Sequence, residues 1–346
     1  MKKLLPLLLC LTLAAVMLVG CAATPQGAAS APSSQPQPEP SAPATTETGM
    51  RVTALNGPTA MGMVKLMDDA ENGAASQAYT FAIQTMADEV TVGLTQGRID
   101  VAALPANAAA ALYNNAGGEI QVLAINTLGV LYVVENGESI GSVEDLRGKT
   151  LYATGKGTTP EYALNYVLSQ NGIDPAADVT IEWQSEAAAC LAALSTDQAA
   201  VAMLPQPFVT TALKQNDGLR VALDLTEEWD AIQAGSESPS ALITGVVVAR
   251  RDFIEQNPEA VSAFLDDYQA SVEYVNANVD QAAELVGKYG IVTAEVAKEA
   301  LPSCNITFIE GNEMKQKLSG YLSVLLEQNP QSIGGVLPGD AFYYSR

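Results

Sequence analysis

Residues 151–168 read LYATGKGTTPEYALNYVL. An apolar run at Leu151, Tyr152 and Ala153 leads into a turn through Gly155, Lys156, Gly157, Thr158 and Thr159, and Pro160 stands where a helix would begin. Such a turn aims backbone N–H groups one way, together with the unpaired N–H groups of the helix start, and can hold an anionic or polar ligand. An ordinary strand-to-helix connection with Thr158 or Thr159 as N-cap is the alternative. Residues 50–60, MRVTALNGPTA, repeat the outline: Asn56 and Gly57 make the turn, and Pro58 and Thr59 enter a helix carrying Met63, Val64, Leu66 and Met67.

Bond-breaking chemistry is harder to build. Gly137-Glu138-Ser139-Ile140-Gly141 has the G-x-S-x-G spacing of a serine hydrolase, but the chain contains no histidine, so no Ser-His-acid relay can form and a surface turn is expected. Gly155-x-Gly157 lacks the third glycine of a dinucleotide fingerprint and the spacing of a phosphate loop. With no histidine, and only Cys190 and Cys304 beyond the first 21 residues, no metal site and no cofactor are expected.

The elements that position the two turns also repeat. Val101-Ala102-Ala103-Leu104-Pro105 precedes ANAAAALY, which holds Asn107, and Val201-Ala202-Met203-Leu204-Pro205 precedes QPFVTTAL, which begins at Gln206. A polar turn, GRID or TDQA, stands before each. Two βα…βα units predict a mainly parallel sheet in each half, with ligands beyond the carboxyl ends of the strands. The apolar run at 120–134, broken at Thr127-Leu128-Gly129, and its counterpart at 241–251, broken at Thr244-Gly245, would cross between the halves with Gly129 and Gly245 as hinges. Bulged sheet strands are the alternative. From Phe253 onward the spacing is helical, completing the first half, and residues 332–344 form an irregular tail.

The start of the chain gives an address. Lys2 and Lys3, the apolar stretch 4–19 and Gly20-Cys21 resemble a secretory leader ending in a lipobox, with Cys21 as the lipid-bearing first residue; a transmembrane anchor is the alternative. Residues 21–49, rich in Pro, Ser, Ala and Thr, read as a solvated tether. The chain has 39 Asp and Glu against 17 Lys and Arg, a net of −22, which becomes −24 once the two leader lysines are removed. So acidic a surface argues against nucleic acid and against adhesion to anionic lipid. Cys190 and Cys304 are expected as separate buried thiols.

Ser142-Val143-Glu144-Asp145-Leu146-Arg147-Gly148-Lys149, followed by a strand and the GKGTTPEY turn, resembles the D-L-K-G-K-strand-G element of ABC-importer solute-binding proteins. Gly97-Arg98-Ile99-Asp100-Val101-Ala102 and the FIEQNPE helix start at 253–259 are similar to the nitrate, sulfonate, taurine and thiamine-pyrimidine-precursor branch. The resemblance implies an α/β, two-lobed type II periplasmic-binding fold of two βα sheets joined by a two-strand hinge. Its lobes would be 50–129 with 246–346, and 130–245, after a signal peptide at 1–20. It implies capture of a small organic or anionic solute by a lipid-anchored monomer on the extracytoplasmic face, without turnover, and delivery to a permease and its ATPase. A lipid-anchored sensor subunit and a pyridoxal-dependent pyrimidine-synthase-like enzyme on the same fold are the other readings; the synthases rely on histidine, absent here. Carried over by position, the ligand would meet Asn56, Gly57, Pro58, Thr59, Asn107 and Thr127 from one lobe. The other would offer Gly155, Lys156, Gly157, Thr158, Thr159 and Gln206. Thr244 would lie near a crossover, and Trp183 with Gln184 would either reach the cleft or join the core. No arginine occurs in these turns, which leaves room for a neutral heterocycle.

Overall fold

A computed structural model describes residues 49–196, 200–236 and 240–346. The leader, Cys21, the tether through residue 48 and the end of the TDQA turn lie outside the described residues. In chain order the strands are β1 (Met50–Leu55), β2 (Tyr79–Gln84), β3 (Val101–Pro105), β4 (Ile120–Leu128), β5 (Leu131–Asn136), β6 (Thr150–Thr154), β7 (Thr180–Gln184), β8 (Val201–Pro205), β9 (Leu219–Asp224), β10 (Ile243–Arg250) and β11 (Ile306–Ile309). The helices are α1 (Pro58–Met61), α2 (Val64–Glu71), α3 (Ala87–Thr95), α4 (Ala106–Asn115), α5 (Thr159–Gln170), α6 (Ala187–Thr196), α7 (Phe208–Gln215), α8 (Leu225–Gln233), α9 (Arg251–Gln256), α10 (Pro258–Ala277), α11 (Val279–Lys288), α12 (Ala294–Ala300) and α13 (Gly311–Gln328). No described helix is long and apolar enough to cross a membrane.

The strands form two sheets, ordered β11-β4-β10-β3-β1-β2 and β7-β6-β8-β5-β9. In the first, β1 pairs parallel with β2 and β3, and β10 runs antiparallel to β3 and β4. In the second, β6 pairs parallel with β7 and β8, and β5 runs antiparallel to β8 and β9. The order 2-1-3-10-4 is therefore repeated as 7-6-8-5-9, and the registers agree: Val52 faces Val101 as Leu151 faces Val201. Continuous apolar runs such as VAALP and VAMLP become central strands because helices cover both of their faces. β2, at an edge, alternates between half-buried and exposed residues over its first four positions.

The chain passes to the second sheet between Leu128 and Leu131, through Gly129, as the broken apolar run predicts. The return differs from expectation. β10 is one strand of the first sheet throughout, its register irregular around Gly245, so the crossing falls before Ile243 and Gly245 is a bulge glycine instead of a hinge. The need for glycine there is steric: a Cβ would lie 2.5 Å from Asn126 Oδ1 and 2.6 Å from Thr59 Cγ2.

α10, α11 and α12 share a core with the first sheet through Phe264, Tyr268 and Val272, Val286, and Ala297 and Ala300 respectively. α13 does not belong to the first half alone, as its position in sequence suggests. Its Leu318 and Leu322 share an apolar core with Leu104 and Val246 of the first sheet, with Leu151 of the second and with Leu164 of α5. A small third core, with Val134, Leu204 and Cys190, lies under α6 and α7. Cys190 and Cys304 are both buried free thiols. The tail packs on the first sheet, where Phe342 is buried and Tyr344 N–H donates to Val122 O.

Candidate functional site

Each half presents its turns at the carboxyl ends of its parallel strands. In the second sheet, β6 ends at Thr154 and α5 starts at Thr159, with Pro160 in its first turn. Gly155 and Gly157 take positive φ of 81° and 78°, which an L side chain rarely adopts, so the two glycines shape the turn. Thr158 holds the N-cap position without capping: its hydroxyl donates to Gly155 O at 2.6 Å. Glu161, in the first turn of α5, accepts the Gly157 N–H through its carboxylate. A carboxylate of the chain itself therefore occupies part of the helix start that the sequence offered to an anion.

Thr159 is buried, and its Oγ1 lies 3.3 Å from Asn107 Oδ1 at the start of α4, in the other half. Tyr321 of α13, fully buried, donates its hydroxyl to Thr159 Oγ1 at 3.3 Å. Burial raises the Tyr321 pKa well above the usual tyrosine value, so the group stays a hydrogen-bond donor. The same helix packs this tyrosine, tilted, against Trp229, with centroids 5.6 Å apart, and Trp229 in turn packs on Tyr166 of α5. Just past α13, Asn329 Nδ2 donates to Tyr162 OH at 3.3 Å.

In the first half, Gly57 adopts φ 125° before Pro58, a backbone conformation suited to glycine, while Asn56 is exposed. Thr59 is buried and donates to Leu55 O; Asn126 Nδ2 donates to Thr59 O, and Thr127 Oγ1 lies 3.3 Å from Asn126 Oδ1. Thr59 and Thr127 thus belong to one buried chain that ties the end of β4 to the β1–α1 turn. Thr244 sits in β10 with its Oγ1 buried and without a hydrogen-bond partner among the described residues. Gln206 is also buried: Oε1 accepts from Thr210 Oγ1 at 2.9 Å, and its backbone N–H donates to Val130 O at the crossover.

The structure brings Asn107 to Thr159, and Thr59 to Thr127 through Asn126. Lys156 lines a groove of about 510 Å³ with half-buried Trp183, which stands on the edge strand β7 and packs against the main core. Further contacts join the halves. Lys214 of α7 pairs with Glu299 and Glu295 of α12 at 2.6 and 3.1 Å; Tyr132 OH donates to Ser303 O, and Asn305 Nδ2 to Gly129 O. Burial, helped by the charge of Asp224, pushes the Tyr132 phenol up to about 12. Sequence reasoning missed Asn126, Tyr321, Asn329 and Lys214, because their partners lie far along the chain, 162 residues away for Tyr321 and Thr159.

The hydrolase-like turn has a structural explanation. Ser139 N–H and Oγ and the Ile140 N–H all donate to Glu135, a carboxylate 1% exposed that also pairs with Arg220. In the D-L-R-G-K element, Ser142 and Asp145 form a capping box and Arg147 pairs with Asp178, so that motif braces β6.

Residues 73–300 match the family model for the periplasmic substrate-binding proteins of phosphonate ABC transporters. The chain belongs to this family. Among curated proteins, binding proteins of Brucella abortus, Brucella suis and Brucella melitensis are 24% identical over 209 residues, covering 58% of this chain and 62% of theirs, so the chain matches less than two thirds of those relatives. An ABC transporter protein of Parabacteroides distasonis superposes with a TM-score of 0.71 at 23% identity, over 87% of this chain and all of that one. The periplasmic aliphatic sulphonate binding protein SsuA of Escherichia coli gives 0.68 at 18%, over 86% and 92%. The alkanesulfonate-binding SsuA of Xanthomonas axonopodis bound to MOPS gives 0.60 at 14%, over 85% and 96%. These likenesses establish the two-lobed periplasmic-binding fold that the D-L-R-G-K resemblance implied. The family model carries the phosphonate description, whereas the resemblance pointed to the sulfonate and nitrate branch, which the two SsuA structures share as a fold.

Proposed function

We propose that the protein is the extracytoplasmic solute-binding subunit of an ABC importer, anchored by a lipid on Cys21, that closes its two halves on one small solute and hands it to a permease driven by an ATPase. The observation that carries the reading is the Asn107–Thr159 contact, which joins the two halves at the carboxyl ends of their strands. Ligands of open α/β sheets bind at that edge.

The solute is a small organic molecule or anion, with phosphonates and sulfonates the first classes to test. Lys156 is the one cation in the predicted turns, and Glu161 already takes the Gly157 N–H. An oxyanion would therefore be held by backbone N–H groups, and by the hydroxyls of Thr158 and Thr159 once turned away from Gly155 O and Asn107 Oδ1, not by a guanidinium fork. Closure without a bond-breaking relay suits capture and release.

A thermal-shift screen of ligand-stripped protein against alkylphosphonates, alkanesulfonates, taurine, nitrate, thiamine pyrimidine precursors and aromatic acids tests this. One class is expected to raise the melting midpoint in a saturable way. Folded protein that responds to none of them would contradict the reading.

A further inference from the structure

We infer that the first half carries a second small-molecule site, on the edge opposite the predicted turns, for a monocarboxylate with an apolar body. β10 runs antiparallel to β3, so Arg250 at its end lies beside the amino ends of the parallel strands. There it lines a cavity of about 470 Å³, a size typical of small-ligand sites, whose apolar wall includes Leu94, Leu112 and Ile120.

The Arg250 side chain is only 17% exposed, yet among the described residues its guanidinium makes no aligned hydrogen bond. Nε is fully buried without a hydrogen-bond partner; Asp252 Oδ1 lies 3.2 Å from it but off line. Asp100 Oδ1 is 3.6 Å from the terminal nitrogen, and that carboxylate is already held by the fork of Arg51. The backbone makes room for this guanidinium: a Cβ on Gly97 would fall 2.4 Å from it. A largely covered guanidinium whose two neighbouring carboxylates, Asp252 and Asp100, leave its donors without aligned hydrogen bonds is costly, and a further carboxylate entering from the cavity matches its planar fork. Glu119 and Glu255, exposed at the rim, oppose a second negative charge on the ligand, and the apolar wall favours a hydrocarbon body.

Saturation-transfer NMR and calorimetry with 4-methylpentanoate and phenylacetate test this. Both acids are expected to bind the unsubstituted protein, and Arg250→Gln is expected to weaken them about tenfold or more. Ala116→Trp, which fills the cavity from the half-exposed residue just past α4 and leaves the guanidinium in the sequence, is expected to do the same and decides the matter should Arg250→Gln fold poorly. Phenylphosphonate, doubly charged, should show no signal that depends on Arg250. Asn107→Ala, in the proposed solute cleft, should leave monocarboxylate binding intact, which separates this site from that one. No saturation transfer from either acid, or affinity in both cavity variants unchanged from that of the unsubstituted protein, would overturn the assignment.

Discussion

Thr159 and Asn107 lie 52 residues apart in sequence and on helices that start from different sheets, yet their side-chain oxygens are 3.3 Å apart in a buried position. Tyr321 completes the arrangement from below, donating to the same Thr159 oxygen. The hydroxyl of Thr159 is thus shared by three helices, α4, α5 and α13, and ties their relative positions together.

Replacing Thr159 with Val keeps the shape and removes the hydroxyl. Urea unfolding is expected to show a loss of about 0.5–1.5 kcal/mol, the usual value of a buried hydrogen bond, and Tyr321→Phe should cost a similar amount. Because both substitutions remove parts of one chain, their effects should fall short of additive in the double variant.

Gly245→Ala should be more damaging than its size implies. The new Cβ would press on Asn126 Oδ1 and Thr59 Cγ2, the two residues that connect β4 to the β1–α1 turn. A destabilisation of about 1–3 kcal/mol is expected from such overpacking, read from the urea midpoint at unchanged slope.

The Lys214 pairs with Glu295 and Glu299 join α7 of one half to α12 of the other. They are solvent-facing and therefore screened by salt. Affinity for an uncharged solute should fall as ionic strength rises, and Lys214→Met should remove that dependence. Calorimetry at two salt concentrations checks it.

Alkaline pH should destabilise the fold. Burial pushes the Cys190 thiol up to about 11 and Cys304 to about 12 from an ordinary 9.0, and raises Tyr268 and Tyr321 above 10.0. The folded state thus holds protons that the unfolded chain releases, so this contribution is complete below pH 9 and is lost as pH climbs through 9–12. Urea midpoints should fall steadily across that window. In protein beginning at Gly49, a thiol reagent at pH 8 should titrate neither cysteine until guanidinium unfolds the chain.

Much of this was legible in the residues. The V-A-x-L-P repeats and the proline-led turns mark equivalent strands and helices because local spacing alone sets them, and the Gly129 break marks the first crossover. β2 left little trace, since an edge strand needs no long apolar run. Gly245 was misread because a glycine inside a strand signals a hinge and a bulge alike; only the position of Asn126 beside it decides. Lys156 shares a groove with Trp183, a neighbour on β7 that local spacing does not reveal. The part of α13 in joining the halves was hidden, for a helix's apolar stripe says that it packs and not on what.

The central claim is that one solute is held between the halves where Asn107 meets Thr159. Calorimetric titration of ligand-stripped protein with the solute found in the thermal screen tests it most directly, on the unsubstituted chain and on the Asn107→Ala, Thr159→Val double variant. One site per chain is expected, with affinity falling about tenfold or more in the double variant while its fold is retained. Binding of equal strength in both proteins would contradict the claim.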